Sequence, residues 1–498
     1  MQLFFIIFVF SLSFSQSCIK EINSRDYLRN DFTYPEQIES EHFVIHFTVS
    51  DADSQLVNGQ WFNLQSNFNY AQSIIDLAEY AYEIYMSNGW EEPPPDCDEN
   101  IVDINSPSHC INYGGNALYD IYISNDAAGM VVPENPYPIF PYTGGYTSYM
   151  KISSLLNEYE SLPTWAHHVV AHELHHSIQM RYGYSVSGNV GNYMYNGWLF
   201  EQTATYMENV IFPNSNHLQL MLSNCNVVTP LTYPEYGIDY PAEIYPYRSA
   251  LWQKFLVESY GDSTIVRDIW EGYGLDYASG IAVSLFPIYN ESIINATNGE
   301  KELASAYKDY ALWRYFTGDH SIPNSYFNQS GIYCTASTHS YNDSLFSLTT
   351  ETGAALFVNL PDSISNFIIT TENPDQMQFS YLDIDNNNVN IYDLELDEVN
   401  SYFQFNQNDD VEHVLIATSN YSGESSIESS FSIQINQAAL GDINYDGLIN
   451  VLDAVLIINF IIYIDNPTNE QFIASDINND TSLDVLDVVL LINLIIDR

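Results

Sequence analysis

His172, Glu173 and His176 are the residues whose types and spacing point most directly to chemistry. They stand in the run P-T-W-A-H-H-V-V-A-H-E-L-H-H-S-I-Q-M, which opens at Pro163. Pro163 suits a first helical turn, and no glycine or proline follows until Gly183. Trp165, Val169 and Leu174 supply apolar contact. On such a helix His172 and His176 lie one turn apart on one face, so their imidazoles can converge on one point. Glu173 projects at a neighbouring angle. The pattern H-E-x-x-H offers two neutral nitrogens to a zinc ion and a carboxylate able to take a proton from an activated water.

Two histidines leave such a site incomplete, because a catalytic zinc usually has three protein ligands and one open position. A loop rich in glycine and asparagine leads to Gly197, and W-L-F-E-Q-T-A-T-Y-M-E then reads as a second helix. Glu201, Thr205 and Glu208 share one stripe of it, and Glu201 is the expected third ligand. This arrangement resembles the gluzincin metallopeptidases. The resemblance implies hydrolysis of peptide bonds by zinc-activated water, with Glu173 as general base. It also implies a tyrosine on a later helix that donates a hydrogen bond to the oxyanion. Tyr247 is expected in that role and Tyr245 is the alternate. Several gluzincins carry a carboxylate one turn after the third ligand to orient the first histidine. Thr205 stands there instead, and Glu208 is the nearer acidic residue. His168 and His172 form a second pair one turn apart, but that pair lacks the glutamate. His167, His168 and His175 therefore read as packing or surface residues. The competing reading of the whole run is a structural helix without metal.

The elements that must position these residues are legible around them. E-S-E-H-F-V-I-H-F-T-V-S (39–50) alternates as a strand, and His42 and His46 read as strand residues. A helix is expected over 69–88, stopped by G-W-E-E-P-P-P-D-C. G-G-N-A-L-Y-D-I-Y-I-S and Y-T-S-Y-M-K-I-S (146–153) read as two more strands. One edge strand beside the zinc helix is expected to hold substrate backbone by strand addition. After Glu208, helices are expected over 247–260, ended by Gly261, and around 263–272 and 299–316. Taken in order, these features over 39–318 look like a family of candidate secreted bacterial metalloproteases, which implies a protein or peptide substrate.

Of 498 residues, 12 are Lys or Arg and 64 are Asp or Glu, a net charge of −52. Such a surface repels nucleic acid and anionic membranes and attracts cations. The first residues, M-Q-L-F-F-I-I-F-V-F-S-L-S-F-S-Q-S-C, read as a signal peptide over 1–17, although no basic residue precedes Lys20. The run is too short to span a bilayer and no other stretch has the length and apolarity to do so, so an extracellular or cell-surface location is expected, without a transmembrane segment. Cys18 stands where a lipoprotein cysteine would, but F-S-Q-S-C is a poor lipobox. Cys97 and Cys110 flank a short polar loop and are a plausible disulfide, as are Cys225 and Cys334.

Beyond about residue 331 the pattern changes to short alternating runs between polar turns, such as A-A-L-F-V-N-L and H-V-L-I-A-T, which reads as a β-sandwich. The tail then repeats a loop-helix unit. D-I-N-Y-D-G-L-I-N-V-L-D begins at Asp442 and D-I-N-N-D-T-S-L-D-V-L-D at Asp476. Oxygen ligands fall at Asp442, Asn444, Asp446 and Asp453, then at Asp476, Asn478, Asp480 and Asp487. Backbone carbonyls of Leu448 and Ser482 are expected to join them, a set suited to Ca²⁺. The duplication resembles a type I dockerin, which implies a cohesin-like partner. Thr481 replaces, in the second loop, the glycine that the first loop has at Gly447. The positions through which dockerins read their partner are apolar here: Val451, Leu452, Val485 and Leu486.

The expected architecture is a multidomain α+β chain. Its parts are the signal (1–17), a zincin-like metallopeptidase domain of mixed sheet and zinc-binding helices (18–330), the β-sandwich (331–438) and a small all-α dockerin-like domain (440–498). The function expected is a secreted zinc metalloendopeptidase with a calcium-binding docking tail. The rival is a non-catalytic surface or assembly protein with a structural zinc site, in which the tail carries the function.

Overall fold

The computed structural model describes residues 29–57, 59–95, 116, 118–125, 127–159, 165–184, 192–214, 216–242, 244–277, 283–341, 345–349, 351–361, 366–385, 388–396, 400–404, 411–420, 428–435, 440–444, 448–478 and 480–496. The expected signal peptide, Cys18, the Cys97–Cys110 pairing, Pro163, Asp446 and Gly447 lie outside the described residues.

The chain divides into two compact units, the first comprising Met1–Thr338, Thr349–Phe357 and Ala417–Ile427. It starts with strands β1 (Pro35–Glu39), β2 (Phe43–Thr48), the hairpin β3 (Ser54–Val57) and β4 (Gln60–Asn63), helix α1 (Phe68–Ser87), then β5 (Tyr119–Ser124), β6 (Gly129–Pro136) and β7 (Tyr146–Ser153). Five strands form one sheet in the order β1-β2-β5-β7-β6. β2, β5 and β7 run parallel, pairing Phe43 with Tyr119 and Ile121 with Met150, while β1 and β6 close the edges antiparallel. The period of two sorts side chains between the faces. Phe43, Ile45, Ile121, Ile123, Met150 and Ile152 join the core with Ile74, Ile75 and Ala78 of α1. Tyr122, Tyr149, Met130 and Val132 pack on the opposite face with Phe32 and Leu64. α1 begins where the Asn67 side chain accepts from the Tyr70 amide, an N-cap.

Helices α2 (Trp165–Tyr182) and α3 (Asn192–Ile211) follow. From His168 to Tyr182 every residue of α2 is buried, so it is a central helix with core on all sides. α3 starts earlier than its apolar run suggests and is kinked at Asn196, whose amide donates to the Val283 carbonyl at 3.1 Å. Then come α4 (His217–Leu222), α5 (Tyr245–Arg248), α6 (Leu251–Tyr260), α7 (Ile265–Tyr277), α8 (Leu285–Ala296) and α9 (Leu303–Tyr315). The single helix expected over 247–260 is therefore two, broken at Ser249 and Ala250. The buried Ser249 hydroxyl donates to the Pro246 carbonyl and accepts from Gln202 Nε2. Gly261 closes α6 with φ +69°, a conformation glycine adopts without steric cost. Cys225 and Cys334 form the expected disulfide.

Among the described residues, nine strands make the two sheets of the β-sandwich: β8 (His339–Ser340), β9 (Phe346–Thr349), β10 (Ala355–Leu360), β11 (Asn366–Thr371), β12 (Met377–Asp385), β13 (Asn388–Leu394), β14 (Asn400–Gln404), β15 (Glu412–Ser419) and β16 (Glu428–Ile435). The sheet orders are β13-β12-β15-β10-β8 and β14-β11-β16-β9. Phe379 and Tyr381 of one sheet meet Phe431 and Phe367 of the other at 5.2 and 5.9 Å. The boundary expected at 330/331 falls differently. Residues 349–357 belong to the first unit, because Arg314 donates to the Gly353 carbonyl at 2.8 Å and the Ile238 amide to Thr352 at 2.8 Å. The second unit comprises His339–Leu348, Val358–Ile416 and Glu428–Arg498, which hold the greater part of the sandwich strands together with the tail.

The tail folds as α10 (Val451–Ile461), α11 (Asn469–Ser475) and α12 (Val485–Ile496). Its two loops repeat one hydrogen-bond plan. Asp453 accepts from the amides of Ile443, Asn444 and Asn450, and Asp487 from those of Ile477, Asn478 and Asp484. Both carboxylates are buried. Thr481 sits at φ +64°, the left-handed region that a threonine tolerates poorly. Thr481→Gly should therefore stabilise the calcium-loaded tail by about 1 kcal/mol, net of the added chain entropy. Calorimetry of the full chain in calcium should show the tail transition about 4 °C higher.

Candidate metal centre

The packing of α2 against α3 brings the expected ligands together. His172 Nε2 and His176 Nε2 each lie 3.2 Å from the same oxygen, Glu201 Oε2. All three side chains are buried. A tetrahedral zinc with bonds near 2.05 Å has ligand-to-ligand edges of about 3.3 Å. The two observed nitrogen-to-oxygen edges match that spacing, and the two-nitrogen, one-carboxylate donor set is one that zinc accepts.

The opposite ring nitrogens are held as well. His172 Nδ1 lies 2.8 Å from Glu208 Oε1, and His176 Nδ1 lies 2.7 Å from Gln179 Oε1. Each contact fixes a tautomer that leaves Nε2 for a metal. Glu208 thus orients the first histidine, as its position after Thr205 suggested. Gln179, which the sequence reading missed, does the same for the second. Its own amide nitrogen donates to the Phe200 carbonyl and to Thr203 Oγ1, both at 3.0 Å, and Trp270 Nε1 also donates to Thr203 at 3.1 Å. The only hint in the sequence was that Gln179 falls three residues beyond His176, on the same helical face.

The charges suit a cation. Burial alone would raise the Glu201 carboxyl, but the imidazoles of His176 and His172 outweigh it and hold the group well below the usual carboxylate range. For Glu208, burial is likewise outweighed by His217 and His172, and its pKa is held at about 2. Burial lowers the His176 pKa, keeping the imidazole neutral. Ionised carboxylate and neutral imidazole are the forms that bind metal.

Glu173 is buried on the same helix, 2% exposed. Strand β6 approaches it closely. A Cβ placed on Gly129 would lie 2.5 Å from Glu173 Cγ and 2.6 Å from its Oε1, so only glycine leaves the carboxylate where it is. Tyr247 of α5 lies with its ring parallel to His172, centroids 5.5 Å apart and planes 12° apart. Tyr245 turns elsewhere, donating to the Tyr236 carbonyl at 3.4 Å and meeting Tyr236 and Tyr240 edge to face. The remaining histidines divide. His175 is packed between Tyr85 and Trp90. His167 meets Phe212 edge to face. His42 and His46 pair with Glu79 and Asp120, both at 2.7 Å. His168 lies instead beside Glu208 and His217.

Residues 146–276 match a family of unknown function, DUF6055. Residues 440–496 match the dockerin type I domain. No curated protein matches the chain. The first match spans His172, Glu173, His176, Glu201, Glu208 and Tyr247. The second supports calcium binding by the tail and docking to a cohesin partner. There Asp442, Asn444 and Leu448 precede α10, whose first turn carries Asp453, and Asp476, Asn478, Asp480 and Ser482 precede α12, whose first turn carries Asp487. The Asp480 and Thr481 amides donate to Asp476, and the Asn478 amide nitrogen donates to Asp480 at 2.7 Å. Oxygen-only donors are the chemistry calcium requires. Among the described residues no helix is long and apolar enough to cross a membrane.

Gln179→Ala should weaken metal binding at His172, His176 and Glu201 by about 10- to 100-fold, because it frees the His176 ring to turn. Competition of the full chain with a chromogenic zinc chelator measures that loss.

Proposed function

We propose that the chain is an exported zinc-dependent metallopeptidase that hydrolyses peptide bonds and is attached to a partner through its calcium-binding tail. The observation that carries this reading is the convergence of His172, His176 and Glu201 at 3.2 Å, with Glu173 buried on the same helix. A zinc ion held there would act as a Lewis acid, lowering the pKa of a water and polarising a carbonyl. Glu173 takes the proton from the attacking water and passes it to the leaving amine, so that no charged amide ion is expelled. Tyr247, whose ring lies parallel to that of His172, would donate a hydrogen bond from its hydroxyl to the developing oxyanion. Glu208 and Gln179 keep the two rings from turning as the ligand field changes. β6 is the edge strand that reaches Glu173, at Gly129, so of the two edges it is the one that would pair with an extended peptide.

The tail would meet its partner through α10 and α12. Val451, Leu452, Val485 and Leu486 are exposed at equivalent positions of the two repeats. They favour a cohesin with an apolar recognition face over one that reads hydroxyl groups.

Glu173→Gln keeps the shape of the side chain and removes its basicity. The variant should bind as much zinc as the parent while casein hydrolysis falls at least a thousandfold, about the range of a lost general base. Full turnover in that variant would refute the role given to Glu173. Gly129→Ala should also keep its zinc, yet lose roughly a hundredfold in turnover because the new methyl group displaces the carboxylate. Parallel zinc analysis and casein assays read both effects.

A further inference from the structure

A second cluster lies next to the first and shares with it only Glu208, which orients His172. It consists of His168 on α2, Glu208 on α3 and His217 at the start of α4, with one ligand atom from each within 4.8 Å of the others. Glu208 Oε2 is 2.6 Å from His217 Nδ1. The ring of His168 stacks on that of His217, centroids 4.3 Å apart and planes 12° apart. His168 is only 5% exposed, and neither of its ring nitrogens has a hydrogen-bond partner among the described residues. A buried imidazole without partners is costly, and native interiors rarely keep one without a reason.

We propose that His168, Glu208 and His217 bind a second divalent transition ion of the zinc class, beside the one held by His172, His176 and Glu201. Two imidazoles and a carboxylate are donors for a borderline ion and not for calcium. Closing the cluster around an ion brings the ligand atoms from at most 4.8 Å to about 3.3 Å apart and turns one of the two rings out of the stack, because an imidazole holds a metal in its own plane. The ion also supplies the missing partner of His168. The His217 side chain is 14% exposed, which leaves a path for the ion and room for water to complete its coordination. Glu208 is shared: Oε1 holds His172 Nδ1 and Oε2 faces the second site. A charge placed on Oε2 therefore weakens the pull of Oε1 on His172, so the two sites are coupled.

The test counts ions on the full chain. Protein stripped with chelator, reloaded with zinc and dialysed is analysed for zinc, with calcium counted separately. The expected result is two zinc ions in the parent, one in His217→Gln and one in His168→Gln. His176→Ala should keep the ion at the second site. A parent with one ion that survives both His217→Gln and His168→Gln overturns the proposal, and so does a second ion that neither substitution removes. An ion lost in His217→Gln yet kept in His176→Ala sustains this site even if the peptidase site proves empty, so the two readings fail separately. Anomalous scattering at the zinc edge from crystals of the parent locates the ions without any variant. No peak between His168 and Glu208 would overturn the proposal independently of how the variants fold.

Discussion

The shared oxygen of Glu201 is the contact on which the first unit depends. It lies between two imidazoles of α2 and is carried by α3, so it can exist only if the two helices cross at one register and one rotation. A slip of one residue along α3 would replace Glu201 by Phe200 or Gln202, and no charge would remain to face the histidines. The apolar packing around it enforces that register. Val169, Leu174 and Ile178 of α2 and Leu199 and Phe200 of α3 all belong to one core cluster. The site is thus a by-product of helix packing, and the packing in turn encloses several polar groups that must be satisfied from within.

That satisfaction runs through two chains of hydrogen bonds. On one side Trp270 and Gln179 meet at Thr203, and Gln179 continues to His176. On the other, His217 and His172 take the two oxygens of Glu208. The chains start from opposite flanks and end on the two histidines that face Glu201. Both rings are therefore oriented before any ion arrives, and the cost of ordering them falls on folding and not on binding. A helix buried on all sides would ordinarily be apolar throughout. α2 is not, and its polar residues mark where stability gives way to chemistry.

How much of this the sequence disclosed follows from how local each feature is. The pairing of His172 with His176 needs only the helical period, and the repeated calcium loops need only their own spacing, so both were readable. Strand Tyr146–Ser153 was readable for the same reason, and the observed bounds agree. β6 escaped because its run, G-M-V-V-P-E-N-P, contains two prolines that break the alternation, yet prolines are tolerated at an edge, which is where it lies. The break between α5 and α6 left no glycine or proline behind, since it rests on Ser249 bonding to a residue of another helix. Gln179 and His217 acquire their roles only from contacts with α3. No periodicity could announce them. His168 was set aside as a packing residue because the sequence offered it only His172 as a partner, whereas its neighbours in space come from α3 and α4.

The acidity of the chain bears on every site described. A net charge of −52 draws all cations toward the surface, wanted and unwanted alike. Electrostatic attraction cannot sort them, because calcium, magnesium and zinc carry the same charge. Sorting must come from the donor atoms. The tail loops offer carboxylate, amide and backbone oxygens, the hard donors that the high coordination number of calcium requires. The centre between α2 and α3 offers nitrogens at fixed short spacing in a buried setting, which a hard, strongly hydrated ion enters reluctantly. The neutral imidazoles supply the second half of that discrimination: they add no charge to reward any dication indiscriminately, and they favour ions that form bonds to nitrogen. A chain this acidic can keep two metal chemistries apart because one set of ligands is oxygen throughout while the other is two imidazole nitrogens and one carboxylate enclosed between two helices.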